Sequence, residues 1–330
     1  MIPEKVKQLL QKQHYGIVGN HSAVQVCRWT KKSLRNEGVC YKEKFYGIKS
    51  HLCCQMTPSL WCPNQCLHCW RAIEYTTRNK IPGKADSPKN IIDGCINAQK
   101  VLLSGFKVNE NPKKTQLSKA DMKKFREAQE PMQFAISLSG EPTLYPNIGE
   151  LIAELRKRGK TSFLVSNGLY PKVFEKLEKK KQLPTQLYIS VNASDEKLYN
   201  KIHRSMEKNA WEKLNKSLEI MARLKGKTRT VFRMNLILDL NMLPEHAEKY
   251  AEMIKKANPM FIEVKAFMCV GFAKERIPYN KMPYHKDIVD FSKEVLKFLP
   301  EYKILDEKKE SRVLLLGKSR KDMKIKEREK

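Results

Sequence analysis

Residues 60–73 read Leu-Trp-Cys-Pro-Asn-Gln-Cys-Leu-His-Cys-Trp-Arg-Ala-Ile and place Cys62, Cys66 and Cys69 in a C-x3-C-x2-C array, with a Pro-Asn turn between the first two. Three thiolates this close can converge on one side of a short loop and hold a metal centre. The fourth ligand is missing locally. Structural zinc is closed by four protein ligands, whereas catalytic metals keep a position open. Soft thiolates select zinc, copper(I) or iron–sulfur clusters, and a cubane is usually held by four cysteines. A cubane on three cysteines leaves one iron free to bind something else. The alternative at this point is a zinc site completed by His51, His68 or a distant cysteine.

The chain around this loop has 330 residues, enough for one large α/β domain with additions or for two domains. No run approaches the ~18 apolar residues needed to span a bilayer, and the charged amphipathic N-terminus lacks the apolar core of a signal peptide. Nine cysteines without an export signal point to a reducing, cytoplasmic compartment, and to metal or redox chemistry rather than disulfides. Lys and Arg number 64 against 36 Asp and Glu, a net charge of +28. That excess favours a polyanionic partner, nucleic acid above all. Enrichment for growth at high temperature would raise both signs; here the basic side dominates.

A second cysteine set precedes the loop, after a short helix and a turn at 16–20. Cys27, Cys40 and Cys53 are separated by twelve residues each time. Zinc fingers want close pairs, so the long equal spacing suggests another three-ligand centre with one position open. The neighbouring Cys54 points the opposite way in an extended segment and reads as a packed thiol. Lys42 lies two residues after Cys40, within reach of whatever such a centre binds. A lysine amine forms Schiff bases with carbonyl substrates, and Lys44 is its competitor.

Downstream, helical and strand periodicities alternate. Helices are expected at 91–106, 119–128, 148–158, 171–181, 211–224 and 245–257. Strands are expected at 132–138, 161–165, 186–191, 228–238 and 261–267. This is the pattern of βα units around a parallel sheet, either a barrel or an open sheet. Ser139-Gly140-Glu141-Pro142, Ser166-Asn167 and Ser190-Val191-Asn192 each fall at the C-terminal end of an expected strand. Glycine lets a ligand approach the backbone. Glu141 can accept hydrogen bonds from an amino group, and the Ser and Asn side chains suit a carboxylate and ribose hydroxyls. Cys95 and Cys269 read as core thiols. The end of the chain offers a helix at 287–299, a hairpin at 302–305 and 312–316, and a basic tail.

The Cys62, Cys66, Cys69 spacing followed by Ser139-Gly140-Glu141-Pro142 resembles the radical SAM superfamily, whose open iron chelates S-adenosylmethionine (SAM) and whose Gly-Gly-Glu-type segment binds its amino group. Ser139 replaces the first glycine, and His68 stands where an aromatic usually packs near adenine. Cys27, Cys40 and Cys53 ahead of that motif, with Cys69-Trp70-Arg71, resemble the tRNA 4-demethylwyosine synthases in their archaeal single-module form. The resemblance spans roughly residues 20–285.

It implies an incomplete (β/α)6 TIM-like barrel at 56–285, an N-terminal extension at 1–55 carrying the auxiliary ligands, and a C-terminal helix, hairpin and tail at 286–330. It implies two [4Fe-4S] clusters. The one on Cys62, Cys66 and Cys69 cleaves SAM to a 5′-deoxyadenosyl radical; the one on Cys27, Cys40 and Cys53 binds pyruvate. SAM would be held by His68, Ser139, Gly140, Glu141, Ser166, Asn167, Ser190 and Asn192, and Lys42 would form the Schiff base. The reaction would condense N1-methylguanosine at position 37 of tRNA-Phe with pyruvate to give tricyclic 4-demethylwyosine. An external flavodoxin- or ferredoxin-like donor would feed a cytoplasmic monomer that binds no membrane. Arg71, Lys107, Lys113 and Lys114 are candidates for touching tRNA. The competing readings are a radical SAM enzyme acting on a peptide and a non-catalytic zinc protein that binds RNA.

Overall fold

In a computed structural model, the described residues are 2–106 and 120–326. The expected basic loop with Lys107, Lys113 and Lys114 lies outside them. The elements in chain order are α1 (Glu4–Lys12), β1 (Gly16–Val18), β2 (Ser22–Gln25), α2 (Arg28–Leu34), α3 (Tyr41–Tyr46) and β3 (Cys53–Thr57). Then come α4 (Ile73–Thr76), α5 (Pro88–Leu103), α6 (Met122–Glu127), β4 (Gln133–Ile136), α7 (Ile148–Lys157), β5 (Thr161–Ser166), α8 (Pro171–Lys179) and β6 (Gln186–Ser190). The rest is α9 (Glu196–His203), α10 (Ala210–Arg223), β7 (Arg229–Leu236), α11 (His246–Ala257), β8 (Phe261–Ala266), α12 (His285–Leu296), β9 (Lys303–Lys308) and β10 (Val313–Gly317).

The chain folds as two compact units. The first comprises Met1–Leu60, Lys80–Leu164 and Lys324–Lys330. Its strands run in the order β1-β2-β3-β4-β5: β1 and β2 form a hairpin, β2 is antiparallel to β3, and β3, β4 and β5 are parallel. Residues 16–20, expected to be a turn, begin as strand β1; the turn is confined to the residues after Val18, where Gly19 takes a positive φ of 54°. The expected boundary at residue 55 falls inside β3, the first parallel strand. Phe134, Ala135 and Ile136 of β4 are all buried, as in strands covered on both faces. Helix α5 lies directly on the hairpin: a Cβ on Gly94 would come within 2.5 Å of the Val18 side chain. It starts at Pro88, before the expected Ile91, because Ser87 caps it by accepting the Asn90 N–H at 3.2 Å, with proline at the first helical position.

The second unit comprises Trp61–Asn79 and Val165–Met323. Strands β6, β7 and β8 are parallel, β10 adds antiparallel to β8, and β9 closes that edge. The hairpin expected at the end of the chain is this β9–β10 pair. Its register slips between Leu315 and Leu316. A core of Ile237, Phe267, Cys269, Ala273, Ile277 and Met282 packs beyond the ends of β7 and β8, and Leu67 of the cysteine loop is seated against it. Burying a side chain such as Phe267 contributes roughly 2–3 kcal/mol, so the loop is anchored on a firm base. Among the described residues no helix is long and apolar enough to cross a membrane.

Candidate active site

In the first unit the even spacing of Cys27, Cys40 and Cys53 has a structural origin: each interval holds one short helix and its return. Cys27 is the N-cap of α2, its sulfur accepting the Thr30 N–H at 3.4 Å. Cys40 is the N-cap of α3, and its N–H donates to Ser50 Oγ at 2.8 Å. Ser50 ties the three segments together. Its N–H and hydroxyl donate to Glu43 Oε2 at 2.8 and 2.6 Å, and its carbonyl accepts the Thr30 hydroxyl at 3.0 Å. Cys53 then opens β3.

Burial pushes the Cys53 thiol up, Cys27 and Cys40 add to the rise, and Lys42 opposes it. The three sulfurs and the amine therefore share one electrostatic neighbourhood. Lys42 is half-buried, with Nζ 5.0 Å from the centre of the Phe163 ring. Lys44 is exposed; at ~3.6 residues per turn it points to the other side of α3. Cys54 is fully buried and interacts with Cys95, so both are core thiols as expected. Ser139, Gly140 and Glu141 follow β4. Thr57 donates its hydroxyl to the Ser139 carbonyl at 2.6 Å, and Gly140 takes a φ of 71°. Glu141 is buried and accepts the Thr143 N–H and hydroxyl at 3.0 and 2.5 Å.

The second unit holds the other triad. The Cys62 N–H donates to the Thr76 carbonyl at 3.2 Å, and the Cys62 carbonyl accepts the Arg78 N–H at 3.0 Å. Arg71 requires a correction. As a candidate tRNA contact it should reach solvent, but it is only 6% exposed. Its guanidinium donates to the Thr76 carbonyl and hydroxyl at 3.0 and 2.6 Å and to the Asn64 carbonyl at 2.5 Å. Burial works against its charge, but Cys62, Cys69 and Cys66 outweigh that and raise its pKa. Arg71 braces the loop from within.

Burial pushes the Cys66 thiol up, and Cys62 and Cys69 push it further. Packed thiolates of this kind call for a cationic centre between them. Of the residues considered for completing a zinc site, His51 is engaged elsewhere, its Nε2 lying 2.7 Å from Glu127 Oε2. Asn64, within the loop and 1% exposed, has neither side-chain atom hydrogen-bonded among the described residues, and the same holds for His68 Nδ1. Such orphaned buried atoms suit a bound group. Burial, with Arg233 and Arg276, lowers the His68 pKa to about 4 and keeps the ring neutral.

His68 Nε2 lies 3.4 Å from the Asn192 amide, and the Asn167 amide donates to Cys62 Sγ at 3.6 Å. Ser166 is buried, and its hydroxyl accepts the Gly168 N–H at 3.1 Å, a turn contact. Ser190 ends β6, half-buried. The second unit thus gathers Cys62, Cys66, Cys69, His68, Asn167 and Asn192. Three further residues escaped the sequence reading. Asn241, with no exposed surface, joins Asn192 to the end of β7. Arg276 donates to the carbonyls of Cys69 and of Leu67, the latter at 3.2 Å. His203 lies 3.1 Å from Cys66 Sγ through Nδ1. Only His203 had a sequence signal, an Asp195 cap ahead of an eight-residue helix.

A family model described as "Radical SAM superfamily" matches residues 56–254, and a second, "Wyosine base formation", matches residues 256–318. The S-adenosyl-L-methionine-dependent tRNA 4-demethylwyosine synthase of Pyrococcus abyssi is 48% identical over 316 residues, covering 96% of this chain and 89% of the relative. The chain belongs to the radical SAM superfamily, among the tRNA 4-demethylwyosine synthases. The enzyme of that name from Methanocaldococcus jannaschii is 39% identical, with 96% of both chains covered. A solved structure described as "Structure of TYW1 with a lysine-pyruvate adduct bound" matches with a TM-score of 0.83 and 37% identity over 99% of both chains. This radical SAM family member is therefore an enzyme that uses SAM and a [4Fe-4S] cluster. Its fold is the family's incomplete (β/α)6 barrel, with parallel strands β3–β5 in one unit and β6–β8 in the other.

Proposed function

We propose that this enzyme condenses N1-methylguanosine at position 37 of tRNA-Phe with pyruvate to form 4-demethylwyosine. Cys62, Cys66 and Cys69 would hold the cluster, which with SAM would supply a 5′-deoxyadenosyl radical able to take hydrogen from the N1-methyl group. Asn167 steadies Cys62, Arg71 and Arg276 hold the loop closed, and His68 offers a neutral ring to adenine. Ser139, Gly140, Glu141, Ser166, Ser190 and Asn192 supply the polar contacts for the rest of SAM.

Cys27, Cys40 and Cys53 would hold a second [4Fe-4S] cluster, against which pyruvate would be oriented. Lys42 would attack the pyruvate ketone, water leaving as the imine forms; the exocyclic amine of the modified base then displaces the lysine amine, which is regenerated, as the ring closes and the carboxyl carbon is lost. The observation that carries this reading is Lys42 itself, half-buried over Phe163 and electrostatically coupled to Cys53, in a chain whose relative TYW1 was captured with a lysine–pyruvate adduct. An external flavodoxin- or ferredoxin-like protein supplies the electron to a cytoplasmic monomer. Lys107, Lys113 and Lys114 are the phosphate contacts to test.

Borohydride reduction in the presence of pyruvate tests the lysine. The expected outcome is a stable adduct mapped by peptide mass spectrometry to Lys42 and lost in Lys42→Ala. An adduct on Lys44, or one that survives in Lys42→Ala, contradicts the assignment.

A further inference from the structure

Helix α9 ends against the cysteine loop, and its last turn continues along it. The Leu67 N–H donates to the Ile202 carbonyl and the Gln65 N–H to the His203 carbonyl, both at 2.9 Å. One residue on, Arg204 donates from Nε and Nη2 to the Gln65 carbonyl at 3.0 and 2.7 Å, and the Met206 N–H donates to the Pro63 carbonyl at 3.0 Å. The segment 202–206 is thus a strap laid along Pro63–Leu67. At its centre the His203 ring, 3% exposed, presents Nδ1 to Cys66 Sγ at 3.1 Å. The ring is fixed from two sides: it stacks on Tyr199 at 4.4 Å between centroids and meets His68 edge-on at 5.8 Å. Its Nε2 is buried with no hydrogen-bond partner among the described residues.

These facts fix the direction of the hydrogen bond once Cys66 is a cluster ligand. A ligating thiolate carries no proton, so it can only accept. A neutral imidazole has one N–H, and the nitrogen that faces sulfur is Nδ1. We propose that His203 is a positioning residue whose Nδ1–H donates to the Cys66 thiolate and raises the reduction potential of the SAM-binding cluster. Hydrogen bonds to cluster sulfurs are among the factors that set such potentials. Reduction adds one electron, and with it negative charge on the sulfurs; a donor aimed at sulfur stabilises that reduced form. His203 makes and breaks no covalent bond, and the electron comes from an external donor, dithionite in the test below.

The inference rests on the reading that Cys62, Cys66 and Cys69 hold the SAM cluster, and the experiment separates the two. The full chain is reconstituted anaerobically with iron and sulfide and titrated electrochemically. The cluster is followed by the paramagnetic resonance signal that changes when SAM is added. A native protein with no SAM-sensitive signal overturns the cluster reading itself. Given that signal, His203→Leu is expected to lower the ratio of reduced to oxidised cluster at a fixed potential about tenfold, which for one electron is ~59 mV. His203→Asn places an amide N–H near the position of Nδ1 and should restore the native potential. A native potential in His203→Leu overturns the inference. Should the leucine variant take up no iron, the His203→Asn and His203→Gln pair decides. A native potential in Asn with a lowered one in Gln supports the hydrogen bond, and equal potentials overturn it.

Discussion

Asn241 commits its whole side-chain amide to backbone. Its Oδ1 accepts the Ile237 N–H at 2.6 Å, and its Nδ2 donates to the carbonyls of Asn192 and Asn235 at 2.8 and 3.0 Å. Asn192 in turn accepts the Asn235 N–H on its own Oδ1 at 3.0 Å. Each buried group left unpaired costs about 1–3 kcal/mol, so Asn241→Ala is expected to destabilise the protein by about 3 kcal/mol. Thermal denaturation should register a fall in Tm of roughly 4 °C; an unchanged Tm would mean the amide is dispensable. No spacing or motif in the sequence distinguishes Asn241 from an ordinary loop asparagine, because its role comes from two strand ends meeting. Arg71 was misjudged for a related reason. An arginine in a basic protein suggests phosphate, but this one is enclosed by Thr76, Asn64 and three sulfurs, which only the folded loop brings together.

The elements that the sequence made legible are those with long amphipathic or apolar periods, and the parallel strands and their helices fall where expected to within a few residues. Four elements that were not expected bear directly on the site, two of them α2 and α3, which Cys27 and Cys40 cap. Strand β3 hides in a cysteine-rich segment whose apolar character is slight, and α9 is only eight residues long. Helix α9 depends on its cap: Asp195 accepts the Leu198 N–H at 2.9 Å and the Lys249 ammonium at 2.8 Å. The hydrogen bond from Lys249 is the main cause that holds the Asp195 carboxyl below its usual value of 3.8. A carboxyl whose folded pKa is depressed stabilises the fold fully above the ordinary value, and that contribution disappears as pH falls through the lower folded value. Asp195→Asn keeps the cap oxygen but loses the charge, so its deficit in Tm should be present at about pH 6 and shrink as the pH is taken below 3.8. A deficit that stays constant across that range would place the effect outside the ion pair. Asp195→Ala removes the cap as well and should cost about 1 kcal/mol more.

At the scale of the whole molecule, the net charge of +28 is the broadest statement about its partner. Phosphate contacts release counterions, so tRNA affinity should fall steeply with salt: roughly six to ten contacts would lose ~10³–10⁵ between about 50 and 200 mM. Gel-shift titrations across that range check this, and a flat dependence would remove the electrostatic basis for RNA binding. The class of fold was legible, and both cysteine triads could be put forward, because periodicity and ligand spacing are local properties. How Ser50 ties Cys27, Cys40 and Cys53 together was not, since it depends on contacts between three segments.

The most direct measurement is mass spectrometry of tRNA nucleosides after anaerobic incubation of the reconstituted protein with SAM, pyruvate and dithionite. With tRNA that carries N1-methylguanosine, that nucleoside should decline and 4-demethylwyosine accumulate, and neither should change without pyruvate or with unmethylated tRNA. Stoichiometric zinc in place of iron, or cleavage of SAM while N1-methylguanosine persists unchanged, would contradict the account.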